Sequence, residues 1–398
     1  MLKKNTTTVP VLDIIGILLL SLLSPCLGLV IMLHKALKDS TFSKGSLFLF
    51  IIALSFFLSY LNSTKIVSSD TIHYLYWFEQ VNRAHPIHSL LYYRGDYSLS
   101  EPFFAVLSVV FNYLTLGSSS GYLFLCTFFI YGIQFWAICL VCKKFKVSRK
   151  VTILLVLLLA FYNPLFLQTI HGLRQMMATS ILILAIARRV YTEKNSWILL
   201  LLAFLTHTSV LVYIPMVIFS ITYQKLSWYR ALIISVISFA LINSYMSVGI
   251  IFLASGIDYL YEAGSKIVDV SNHNQMDLAL RGFYMYNIPF LLVTIISIIS
   301  CKKEHGEMTV YHLLYLITFI IVVSNPISTE VSVRYAFFVC SFFPYCFLAL
   351  ELTNNRLSKK ILQPITIIIV LIFFYLLAGD PQFPSLTTLI FKPFPFFW

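Results

Sequence analysis

Charge is scarce in this chain: Asp, Glu, Lys and Arg together make up 11% of the residues, while hydrophobic residues make up 59%. No soluble core of 398 residues requires so much apolar side chain, so the composition excludes an ordinary water-soluble domain and points to lipid. Several chemical signatures are missing as well. There is no internal repeat, heptad pattern or low-complexity tract, which argues against a solenoid, a coiled coil and the repeated halves common in transporters. No glycine loop suited to phosphate follows a strand pattern, and no pair of acids spaced for a metal ion stands out, so neither a nucleotide nor a metal cofactor is expected. Cysteine is limited to positions 26, 126, 139, 142, 301, 340 and 346, all in or beside apolar runs. Cys139 and Cys142 form a CxxC without an accompanying histidine or second CxxC, and they read as packed thiols.

What is present is a succession of apolar runs of membrane-spanning length, recurring from end to end. The first has no small-residue cleavage pattern and is expected to be a retained span, not a secretory signal. The net charge of +12 comes from short basic loops and reads as a topology signal, not as affinity for nucleic acid. Lys143, Lys144, Lys146, Arg149 and Lys150 form one such loop, Arg188 and Arg189 open another, and Arg356, Lys359 and Lys360 a third. These belong in the cytoplasm. The two longest loops, 68–101 and 256–282, carry Asp70, Glu79, Asp96, Glu101 and Asp258, Glu262, Asp269, Asp277 respectively, and read as extracytoplasmic.

The expected fold is an all-α polytopic membrane protein of roughly ten to twelve hydrophobic helices in a single integral domain covering 1–398. Counting crossings between the charged loops leaves two parity conflicts. Pro102 to Leu116 is short and bounded by Pro102 and Gly117, so it is expected to be re-entrant or interfacial. Trp197 to Ile221 is interrupted by Thr206, His207, Thr208 and Ser209, and a pair of half-helices meeting at His207 would fit, although a non-spanning Met176 to Ala187 restores the count equally well. The proline- and aromatic-rich tail at 379–398 suits an anchor at the membrane surface.

A few polar residues stand against this background. The pentad His171-Gly172-Leu173-Arg174-Gln175 separates two apolar runs. An arginine there is costly in lipid, and its permanently charged fork suits the oxygens of a pyrophosphate, although a snorkelling arginine would look the same. His207 lies about ten residues into an apolar stretch, where a neutral imidazole needs a partner and can take a proton. It is a candidate base or a satisfied buried histidine. On a helix, Asp70, His73 or Tyr74, and Trp77 share a face, and an acid beside aromatics suits sugar hydroxyls and ring faces. The same face is equally that of an interfacial helix. Glu101 precedes Pro102 at the mouth of the proposed re-entrant segment, and Arg281 and Arg334 close extracytoplasmic loops. Glu330 and Arg334 are spaced as a helix ion pair.

The order of Asp70 with Tyr74, Glu101-Pro102-Phe103, Gly172-Leu173-Arg174-Gln175 with Ala178, Ala203-Phe204 with His207-Thr208-Ser209, and Arg334-Tyr335 resembles the Wzy/EpsG-type family of bacterial polysaccharide polymerases. The likeness runs from about residue 46 to 350. Two departures are the lead-in Lys65-Ile66-Val67-Ser68-Ser69 before Asp70, and Phe103 where glycine is common. The resemblance implies a glycosyltransferase-like enzyme at the outer face of the bacterial plasma (inner) membrane, joining oligosaccharide units carried on undecaprenyl pyrophosphate. It also implies a possible chain-length regulator as partner. Arg174 with Gln175, Arg281 and Arg334 would then hold the departing pyrophosphate, His207 or Glu101 would be the base, and Asp70, Tyr74 and Trp77 would bind sugar. A flippase for the same lipid-linked substrate and an O-antigen ligase are the alternatives.

Overall fold

The computed structural model describes residues 23–38, 44–68, 70–91, 101–214, 245–256, 291–297, 329–352 and 356–385, with isolated positions between them. Among these residues the chain is helical, apart from one antiparallel pairing of β1 (Leu226–Ser227) with β2 (Glu307–Met308). Two compact units are present: residues 1–210 with 365–398, and residues 211–364.

The first unit contains α1 (Pro25–Lys38), α2 (Lys44–Ser63), α3 (Asp70–Glu79), α4 (Pro86–Leu91), α5 (Pro102–Leu114), α6 (Ser119–Lys144), α7 (Arg149–Ala160), α8 (Asn163–His171), α9 (Leu173–Thr192) and α10 (Trp197–Thr206). Its centre is α6, buried against α2 on one side and α9 on the other. Lipid gives helices no hydrophobic reason to associate, so buried polar pairs help fix their neighbours. Asn62 Nδ2 donates to Thr127 Oγ1 at 2.6 Å between α2 and α6, and Gln134 Nε2 donates to Ser180 Oγ at 2.9 Å between α6 and α9. Helix α13 (Arg356–Gly379) enters this unit from Ile365 onward. There Phe373 and Phe374 pack on Phe161, with Phe57 and Phe166 adjoining.

Two helices, α6 and the part of α13 from Lys360, are long and apolar enough to cross a membrane, or three spans if the bent pair α7 and α8 counts as one, among the described residues. The apolar run from Val151 to Ile170 is therefore not one straight rod: its halves meet at 54°. Pro164 explains the break, because its ring and missing N–H are tolerated in the first turn of α8 but would disrupt a helix continuing from α7. Helix α5, at 13 residues, spans about 20 Å, short of a hydrocarbon core of about 30 Å. Helix α10 ends at Thr206, and a 3-10 turn, Thr208–Val212, follows His207.

The basic loops meet at one end of the unit. Lys144 Nζ lies 2.7 Å from Glu193 Oε1, joining the ends of α6 and α9, and this hydrogen bond holds the Glu193 carboxyl below its ordinary range. At the other end, Leu116 and Gly117 turn the chain between α5 and α6 at φ of 53° and 80°, and Arg83 Nη2 donates to the Leu116 carbonyl at 2.7 Å.

In the second unit, α11 (Tyr245–Leu253) and α12 (Thr329–Leu352) are described, with Pro344 inside α12. Tyr213 packs on Phe338 at 4.5 Å, and Ser297 Oγ donates to the Cys346 carbonyl at 3.3 Å. Cys126, Cys139 and Cys142 are free thiols on α6.

Candidate active site

The polar pentad is a helix break. Gly172 stands between α8 and α9, with its N–H on the Gln168 carbonyl and its own carbonyl accepting from Met176 N–H. The break places His171 on the last turn of α8 and Arg174 on the first turn of α9. Cationic side chains are unfavourable at the positive end of a helix, so Arg174 there needs anions around it. One is already present.

Glu101 is the N-cap residue of α5, yet its carboxylate caps no N–H of its own helix. Instead Oε2 pairs with Arg174 Nη1, and Oε1 lies 3.6 Å from His207 Nε2. Tyr74, buried on α3, completes the group: its hydroxyl lies 3.5 Å from Arg174 Nε, and the guanidinium carbon sits 5.6 Å from its ring centroid. Phe104 braces that ring edge-on at 6.0 Å. Side-chain exposures of 21% for Arg174, 10% for Glu101 and 13% for His207 describe a sheltered cluster that still reaches the surface. Four helices thus bring Tyr74, Glu101, Arg174 and His207 together from distant parts of the chain.

His207 is oriented by its own turn. Ser209 N–H donates to Nδ1 at 3.1 Å, so the proton of a neutral imidazole resides on Nε2, the nitrogen nearer Glu101. The Nδ1 lone pair, which would have to accept a proton if His207 were a base, is already engaged.

The remaining sequence candidates divide. Gln175 is buried one residue beyond Arg174 on α9. On α3 the packed stripe is Thr71, Tyr74, Leu75 and Phe78, so Asp70 is exposed and Trp77 half-buried, outside it. The Trp77 ring meets Tyr76 at 5.2 Å, and Asp70 lies near enough to His171 to act on it electrostatically, as do Lys65 and Asp380. Arg334 lies on α12 in the second unit, and Arg281, Arg94, Asp96 and most of the 256–282 loop lie outside the described residues. Among the described residues no group of three or more His, Cys, Asp or Glu is placed to hold a metal ion.

Two buried residues beside the cluster carry no motif of their own. Lys65 follows the end of α2, and Thr71 opens α3; both reach the Ile170 carbonyl at 2.7 Å, and Lys65 Nζ also donates to Thr71 Oγ1 at 3.1 Å. Burial pushes the Lys65 ammonium down to about 7. A lone lysine in the polar lead-in before Asp70 gave the only hint of it.

Helical architecture, multiple apolar helices and a sheltered arginine-carboxylate-histidine cluster define a multi-pass membrane protein with a polar site. The chain belongs to the EpsG family, whose family model matches residues 15–387. That membership places it among membrane proteins with a polysaccharide polymerase-related function. No curated protein and no solved structure matches the chain.

Proposed function

We propose that this protein joins oligosaccharide repeat units carried on undecaprenyl pyrophosphate into a polysaccharide at the outer face of the bacterial plasma membrane. The observation that carries this reading is the Tyr74-Glu101-Arg174-His207 cluster at the start of α9. Helix α9 is 20 residues, about 30 Å long, with Arg174 on its first turn and the basic pair Arg188 and Arg189 near its other end. If basic loops face the cytoplasm, the cluster faces outward.

In the reaction, a hydroxyl of the acceptor unit attacks the anomeric carbon of the donor chain. The bond from that carbon to the pyrophosphate oxygen breaks, the electron pair leaves with the pyrophosphate, and the hydroxyl proton goes to a base. Arg174, at a helix N-terminus, supplies both fixed charge and a fork for phosphate oxygens. Glu101 is the base. An arriving pyrophosphate competes with Glu101 for the guanidinium, and as Arg174 turns to the phosphate, Oε2 loses its cationic partner and gains basicity. His207, its Nδ1 engaged by Ser209, turns Nε2 toward Oε1, 3.6 Å away. Exposed Asp70 and half-buried Trp77, about two turns apart along α3 with Tyr74 between them, offer an acid and a ring to the sugar.

Glu101→Gln keeps the size of the side chain and removes the base. Polymer formation should fall by about 10²- to 10⁴-fold while single repeat units still reach the cell surface. His207→Gln should cost less. Gels of surface glycans, with membrane abundance of each variant checked and Glu101→Asp as a second variant, read the outcome. Normal long polymer from Glu101→Gln removes Glu101 from the mechanism; loss of even single surface units favours a flippase.

A further inference from the structure

In an unbroken helix the carbonyl of residue 170 would accept from the N–H of residue 174. Here that carbonyl lies on the last turn of α8, and it accepts instead from Lys65 Nζ and Thr71 Oγ1, both at 2.7 Å. Lys65 is 6% exposed and Thr71 fully buried, so neither contact is a surface accident. Their placement matters more than their number. Ile170 is four residues before Arg174. Thr71 is three residues before Tyr74, on the same packed stripe of α3, and Tyr74 is the ring and hydroxyl against the Arg174 guanidinium. One carbonyl therefore connects the end of α2, the start of α3 and the break that turns Arg174 toward Glu101.

Resting on the proposed pyrophosphate role of Arg174, we infer that Lys65 and Thr71 are positioning residues: they hold the Ile170 carbonyl away from helical continuation and so set the aim of Arg174 and the register of Tyr74 beside it. Three physical points support this. A buried carbonyl released from its helix must find donors, and a lysine and a hydroxyl provide them. A continuous helix through Gly172 would rotate and translate the first turn of α9 relative to α5, away from Glu101. An ammonium can satisfy the carbonyl and the threonine at once because it carries several donors on one atom, which a methionine of similar length cannot do. The role differs from that of Arg174, since the amine is spent on protein atoms and is shielded from any substrate.

The test is binding of inorganic pyrophosphate to the purified full-length protein in detergent, measured calorimetrically for the unaltered chain, Arg174→Ala, Lys65→Met, Lys65→Arg and Thr71→Val. Thermal midpoints and surface polymer are recorded in parallel. Lys65→Met should weaken pyrophosphate about 10-fold or more, Thr71→Val by a smaller factor in the same direction, and Lys65→Arg should recover most of the loss by restoring a cationic donor. A purely structural role would lower the thermal midpoint without moving affinity in the protein that remains folded. If Arg174→Ala binds pyrophosphate as the unaltered chain does, the proposed pyrophosphate role of Arg174 fails. If Arg174→Ala weakens binding but both Lys65→Met and Thr71→Val leave it unchanged, the site stands and the positioning role is overturned. Should Lys65→Met not accumulate, Thr71→Val decides: unchanged affinity overturns the inference, and a reduced one supports it.

Discussion

Arg174 is held by geometry that lysine cannot copy. Its Nη1 serves Glu101, its Nε faces the Tyr74 hydroxyl, and its guanidinium carbon lies over the Tyr74 ring. An ammonium is a point charge on a flexible stem and cannot meet those partners together or present two parallel donors to phosphate. Arg174→Lys should therefore reduce polymer nearly as far as Arg174→Ala at equal protein abundance, read as surface glycan length on gels. Full-length polymer from the lysine variant would show that charge alone suffices. That this arginine needs polar partners was legible in the sequence, because a guanidinium between apolar runs is expensive there. Its partners were not: Glu101 is 73 residues away in sequence, and nothing local in the chain pairs them. The proposed role of His207 rests on local geometry. The sequence shows an imidazole among hydroxyl residues, but only the turn after α10 aims the Ser209 N–H at Nδ1 and so settles which nitrogen carries the proton.

At the level of elements, the turn between α5 and α6 closes the end of α5 opposite Glu101. Gly117 adopts φ of 80°, where a side chain is strained, and a Cβ there would run into Arg83 Nη2. That guanidinium caps the Leu116 carbonyl, so moving it also loosens the turn. Gly117→Ala should destabilise the protein by about 1 kcal/mol or more, seen as a lowered midpoint in detergent melts followed by tryptophan fluorescence. An unchanged midpoint would mean the turn relaxes freely. The helix boundaries around the two short apolar segments could be read from Pro102, Gly117 and the Thr206-Ser209 cluster, since prolines, glycines and hydroxyl residues act locally. The 54° bend between α7 and α8 was less visible. A single proline in an apolar run can sit in a kinked helix or between two helices, and packing against α13 through Phe161 and Phe166 accompanies the second outcome.

For the whole molecule, the Lys144 to Glu193 contact joins the basic ends of α6 and α9, and the Arg174 cluster occupies the opposite end of α9. Single cysteines at positions 70 and 146, introduced into a chain whose native cysteines are replaced, should respond oppositely to an impermeant thiol reagent added outside: labelling at 70 and none at 146. Labelling at 146 from outside would reverse the orientation and move the cluster to the cytoplasmic face. By itself the sequence determined that this is a helical membrane protein, which loops are basic, and which few polar residues stand at apolar boundaries, because hydropathy and charge are properties of composition and short range. Only the tertiary structure decided that Glu101 meets Arg174 and His207, that Asp70 and Trp77 fall outside the packed stripe of α3, and that Lys65 and Thr71 hold the carbonyl of Ile170. Those outcomes depend on how separate helices rotate about their axes and settle on one another, and that rotation is fixed by packing across the bundle, not by any one segment.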